Sequence, residues 1–138
     1  MPKGADPATH TKLGRGGLAD IEWTIQLLQM RYAGELPSLR TPRTLTAVAA
    51  AREAGLLAEH DADILTEAWR MVSRVRNAVT LARGRSADQL PDDVRERMAV
   101  ARILDYPVGR TEELVNDYLR VTRLARGVVE RVFWGPDA

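Results

Sequence analysis

The chain predicts an all-α fold: an antiparallel bundle of three long and two shorter helices. Three observations support this. Apolar residues recur at spacings of three and four along most of the 138 residues, as one buried helix face requires. The breaks between these periodic stretches carry glycine and proline. Short alternating runs bounded by turn residues, the pattern of strands, are missing.

The elements follow in order. Residues 1–12 (MPKGADPATHTK) have no periodicity and contain two prolines, so they read as a connector or domain boundary. From Leu18 the stripe Leu18, Ile21, Ile25, Leu28 and Tyr32 defines a first helix that should stop between Gly34 and Pro37. Trp23, Leu27 and Met30 widen that stripe and predict packing on two sides. Thr41 as N-cap, Pro42 at N1 and Gly55 as stop frame a short alanine-rich second helix. A long third helix runs from about His60 to Arg83, with Leu65, Ala68, Val72, Val75, Val79 and Ala82 as its seam and Gly84 as its end. After a polar loop from Arg85 to Pro91, Asp92 and Asp93 sit in the first turn of a fourth helix, where negative charge opposes the helix dipole. That helix runs to about Leu104. Tyr106, Pro107 and Gly109 break the chain again. The last helix spans about Thr111 to Trp134, with the seam Leu114, Tyr118, Val121, Ala125, Val128 and Val132.

Composition narrows the function classes. The net charge is +1 with 28% charged residues, so no global field draws the chain to nucleic acid or a membrane. No recognised DNA- or RNA-binding motif is present. The chain has no cysteine, which excludes disulfides and thiolate metal sites and suits a cytoplasmic location. No apolar run approaches the roughly 18 residues of a membrane span.

The chemistry-bearing stretch is Lys12-Leu13-Gly14-Arg15-Gly16-Gly17-Leu18-Ala19-Asp20, a cationic glycine-rich loop that runs into a helix. Lys12 and Arg15 place positive charge beside a helix N-terminus, which itself attracts anions, while Gly16 and Gly17 permit close approach. The spacing matches neither a P-loop nor GxGxxG after a strand, so phosphate contact and tight helix-entry packing both stay open. Asp20 and Glu22 are two residues apart and point to different sides of a helix, so they cannot form a paired acid/base site. Asp20 most simply stabilises the helix dipole. Glu22 shares a side with Leu18 and Ile25, and a buried carboxylate needs a partner. Arg74 and Arg76 on the third helix are its expected ion-pair partners. His10 and His60 lack ligand-like neighbours, no metal site is expected, and no nucleophile–base pair can be assembled. No catalytic residue is assigned.

KLGRGGLADIEWTIQLLQMRYA, then RVRNAVTLARG and DQLP, resemble glutamine synthetase adenylyltransferase (glutamate–ammonia-ligase adenylyltransferase) in its actinobacterial form. The string K-x-G-x-G-G-[LI]-x-D-[IV]-E-[WF] is the hallmark of that family, and PII uridylyltransferases carry a GGLRDI-like relative. Asn116-Asp117-Tyr118-Leu119-Arg120-Val121-Thr122-Arg123 adds a second match, and the resemblance covers about Ala5 to Gly135. It implies the helical domain that follows a nucleotidyltransferase domain of the polymerase-β type. Residues 1–14 would then be the connector from that upstream domain, residues 15–136 the bundle, and the chain a piece of a longer polypeptide.

The resemblance also implies the reaction of the whole enzyme, AMP transfer from ATP to a tyrosine hydroxyl of glutamine synthetase with Mg²⁺. Glutamine synthetase, the upstream domain and PII signal protein are the implied partners. The family's metal-binding D-x-D has no counterpart here: Asp61-Ala62-Asp63 has the spacing but lies at a helix start without a preceding strand or glycine-serine loop. Lys12, Arg15, Gly16, Gly17 and Asp20 are the residues expected beside the nucleotide site. A competing reading makes the chain a regulatory module that binds PII or glutamine synthetase without meeting nucleotide.

Overall fold

The computed structural model describes residues 1–135; residue 136, the expected end of the bundle, lies outside them. It is all-helical: α1 (Leu18–Tyr32), a single 3₁₀ turn (Pro37–Leu39), α2 (Thr44–Glu53), α3 (Glu59–Arg83), α4 (Val94–Ile103) and α5 (Thr111–Trp134). The three long and two shorter helices stand where the periodicity puts them. Gly55 and Gly84, both at positive φ (77° and 69°), follow α2 and α3. Among the described residues there is no strand, only an isolated antiparallel bridge between His10 and Gln89.

α3 and α5 form the antiparallel central pair. Their direction is visible in two cross-helix ion pairs, Arg131–Asp61 at 2.8 Å and Arg120–Glu67 at 3.4 Å. The pair is long enough to serve two adjoining cores. At one end α1 and α2 close over Leu65, Ala68, Val121, Ala125 and Val128. At the other, α4, Leu90 and Leu18 close over Val72, Val75, Val79, Leu114 and Tyr118. Trp69 and Met71 touch both. No described helix is long and apolar enough to cross a membrane.

Two helix starts differ from the sequence expectation. α2 begins at Thr44 without a side-chain cap, because Thr41 is otherwise engaged. Its hydroxyl accepts from Arg43 N, and its carbonyl, with that of Leu39, accepts from the Gln29 side-chain amide at 2.8 Å. These bonds hold Thr41 in a turn ahead of the helix, which opens at Thr44. At α4, Asp93 is the N-cap and accepts from Glu96 N at 3.0 Å, so Asp92 and Asp93 precede the first turn. α1 also packs on one side only: Trp23 is 54% exposed and Met30 84%.

Two phenols, Tyr118 buried and Tyr106 half-buried, give the fold a pH dependence. Tyr106 donates to Asp117 Oδ2 at 2.7 Å. Desolvation, with this bond and the Asp117 charge, pushes its pKa from 10.0 up to about 12. Burial alone pushes Tyr118 up as well. Raised folded values mean the native state holds protons that the unfolded chain releases first. The stabilisation is therefore complete below pH 10 and lost as pH rises through the folded value. Urea midpoints should fall between pH 10 and about 12, and Tyr106→Phe should flatten that decline.

Candidate functional site

Residues 5–17 are folded onto the bundle. Thr9, His10 and Thr11 are buried. Thr11 donates from both its N–H (2.6 Å) and its hydroxyl (2.8 Å) to the Asp88 carbonyl. Leu90 N donates to the Thr9 carbonyl at 3.1 Å, and the Gln89 side-chain amide donates to Thr9 Oγ1 at 2.6 Å. His10 Nδ1 accepts from Leu13 N at 2.9 Å, which places the ring proton on Nε2 and closes the loop on itself. The polar loop before α4 is thus the seat of the N-terminal segment. Arg76 steadies that seat through a 2.7 Å ion pair with Asp88. Both partners are partly exposed, so Arg76→Ala should lower stability by about 1 kcal/mol, measured by urea unfolding.

The glycines exist for contact within the chain. Gly16 has φ +70°, and a Cβ there would lie 2.0 Å from the Thr122 carbonyl oxygen of α5. At Gly14 and Gly17 a Cβ would lie 2.3 Å from the His10 carbonyl and 2.6 Å from the Thr11 carbonyl. The loop backbone therefore lies directly on α5 and on itself. Asp20 locks this arrangement: Oδ2 accepts from Gly16 N at 2.8 Å and from Arg126 Nη1, also at 2.8 Å. Its side chain is only 12% exposed. The hydrogen bond to Asp20 raises the Arg126 pKa further, so this guanidinium is permanently charged. Arg126 Nε also donates to Glu130 at 3.1 Å.

Lys12 and Arg15 point outward from this fixed backbone and are exposed. Arg15 lines a groove of about 530 Å³ with Ala8 and the α5 residues Leu119, Thr122, Arg123, Arg126, Gly127 and Glu130. Lys12 is not among its walls.

The predicted Glu22 pair does not form. Thr24 joins the buried face of α1 and turns its centre away from Glu22, which is exposed. Arg76 is held by Asp88, and Arg74 is exposed beside Asp117 in a separate groove between α3 and α5. The structure brings Gly16, Gly17 and Asp20 together and sets Arg15 beside them, but it brings neither Arg74 nor Arg76 to Glu22. Asp61 is paired with Arg131, and no group of three or more His, Asp or Glu among the described residues could hold a metal ion.

A family model described as GlnD PII-uridylyltransferase matches residues 5–133. The chain belongs to the GlnD PII-uridylyltransferase family. The family match takes in the pinned segment from residue 5, the first four helices and α5 up to its penultimate residue. Three similar proteins carry the name bifunctional glutamine synthetase adenylyltransferase/adenylyl-removing enzyme. That of Streptomyces avermitilis is 56% identical over 98% of this chain and 14% of its own length. Those of Nocardia farcinica (53% over 96% of the chain) and Mycolicibacterium smegmatis (52% over 98%) are covered over 13% and 14% of their lengths. The chain thus spans only a small part of the relatives it matches.

Sequence reasoning assigned no role to Asp88 or Gly127. It read Arg126 only as part of a basic, solvated side of the last helix with Arg120, Arg123 and Arg131, whereas it is bonded to Asp20. Asp20 and Arg126 are 106 positions apart, and no local pattern joins them. Arg123 and Thr122 had a signal, since they lie in the second resembling string. Gly127 also had one, as a glycine inside a strongly periodic helix.

Proposed function

We propose that this chain is the helical companion of a nucleotidyltransferase domain, in an enzyme that attaches AMP to glutamine synthetase and removes it. In this reading the loop holds Lys12 and Arg15 beside the nucleotide. The observation that carries the reading is the division of labour in residues 12–20. Gly16, Gly17 and Asp20 fix the backbone on α5, which leaves two exposed cations on a rigid base. With the backbone already ordered, only side-chain freedom is lost when these groups meet phosphate oxygens, and in a water-poor interface their charges act more strongly than in open solvent.

The transfer breaks the bond between the α-phosphorus of ATP and pyrophosphate and forms one to the tyrosine oxygen, whose proton leaves to a base outside this chain. Lys12 and Arg15 would orient the phosphates and neutralise the charge that develops on the leaving pyrophosphate. The described carboxylates do not fit Mg²⁺, since Asp20 and Asp61 are taken by arginines and Asp63 stands alone. The ion's ligands would come from the companion domain. The enzyme's substrate and effectors make the setting cytoplasmic.

A second reading rests on α1, where Trp23 and Met30 are exposed one above the other. That face suits docking of glutamine synthetase or PII. In the full-length enzyme, Lys12→Ala with Arg15→Ala should lower kcat/KM for AMP transfer at least about tenfold, roughly 1.4 kcal/mol, with unchanged thermal stability. Unchanged ATP KM and kcat would contradict the nucleotide role. If Trp23→Ala with Met30→Ala instead raised KM for glutamine synthetase alone, the docking face would be established.

A further inference from the structure

We propose that the groove between α5 and the N-terminal segment is a binding site for a small anion with two or more linked phosphates, held by Arg15, Arg123 and Arg126. The inference goes beyond the loop reading above, because it assigns two α5 residues and requires no companion domain.

Charge is the first support. Three guanidiniums line the groove, and two carboxylates offset them: Glu130 in its wall and Asp20 bonded to Arg126. Neither Arg15 nor Arg123 takes part in an ion pair among the described residues. Arg126 is immobilised by Asp20 and Glu130 through Nη1 and Nε, which leaves Nη2 without a described partner. Guanidiniums from two separate elements, one of them fixed, suit the forked geometry of phosphate oxygens. The groove is an open one of about 530 Å³, roomy enough for a small linked-phosphate anion. Leu119 and Ala8 supply its apolar surface.

Gly127 is the second, independent support. It lies in the interior of α5, where glycine lowers helix stability relative to alanine. Unlike Gly14, Gly16 and Gly17, it has no steric need to be glycine: a Cβ would meet only Arg131 Nη1, at an ordinary 3.5 Å. It is, however, a groove wall. A side chain larger than alanine at this position would stand in the groove.

The test is a titration of the 138-residue chain with inorganic pyrophosphate, followed by calorimetry and by the Nε–Hε NMR signals of the arginines. Saturable binding should shift Arg15, Arg123 and Arg126 together. Arg123→Gln should weaken it at least about tenfold. Gly127→Leu should weaken it at least about fivefold while the melting temperature stays equal or rises. Arg70→Gln, in the separate α3–α5 groove, should leave it unchanged. AMP, with one phosphate, should bind more weakly than pyrophosphate, and ATP at least as well as pyrophosphate if the natural source is a nucleotide. If ATP binds more weakly than pyrophosphate, the free anion is the source. Equal binding of citrate would overturn the phosphate assignment. Equal losses in Arg70→Gln and Arg123→Gln, or full binding by Gly127→Leu, would overturn the site. None of these results depends on catalysis, so failure here leaves the Lys12–Arg15 reading to its own test.

Discussion

Gly16→Ala is expected to destabilise the chain by about 3 kcal/mol, the largest effect of any single methyl group added to it. Two costs combine. A non-glycine residue at φ +70° is strained by about 1 kcal/mol. The new Cβ would also lie 2.0 Å from the Thr122 carbonyl oxygen, which is part of the α5 backbone and cannot rotate away. The loop must lift, breaking the Gly16 N–Asp20 hydrogen bond and loosening the seat of Leu18 in the second core. Gly55→Ala is the control. Its φ is +77° but open space surrounds it, so only the conformational strain of about 1 kcal/mol should appear. Urea unfolding of the two variants side by side separates strain from clash.

Asp20→Ala is the second large effect, expected at about 2 kcal/mol. The carboxylate is mostly buried and serves two donors on elements distant in sequence. Removing it leaves the Gly16 N–H without its acceptor and Arg126 with only Glu130. Arg126→Ala alone should be milder, about 1 kcal/mol, because the guanidinium is 38% exposed and solvent screens it. The double variant should lose less than the sum, with a coupling of about 1 kcal/mol in a double-mutant cycle. Strict additivity would mean that the two side chains do not work as a unit.

These effects also mark what could be read from the residues. The five helices were legible because each buries a continuous stripe, and the 3.6-residue period survives in the sequence wherever one face meets a core. The start of α2 was not legible, because Thr41 is a good local cap whose carbonyl is taken by Gln29 from another helix. The loop from Lys12 to Asp20 was singled out correctly as unusual, but its two halves could not be separated. Glycine residues look alike whether they admit a ligand or another part of the same chain, and here Gly16 admits Thr122. Glu22 was read as the paired carboxylate on helical spacing alone, whereas Asp20 is the one that is bonded to the loop and to a cation. Helical spacing says which residues share a side, whereas burial depends on Thr24 joining that side and on Arg126 arriving from α5.

The claim on which the functional reading stands is that residues 12–20 form a rigid base rather than a flexible glycine-rich linker. Amide hydrogen exchange at Gly16 and Leu18 tests it directly. Gly16 N–H is bonded to Asp20 and Leu18 N–H to the Thr11 carbonyl at 2.9 Å. Both amides should be protected nearly as strongly as those of Ile21 and Ile25, and Asp20→Ala should remove the protection at Gly16 first. Exchange of both amides at the rate of an unstructured chain in the unsubstituted protein would contradict the rigid joint, and with it the placement of Lys12 and Arg15.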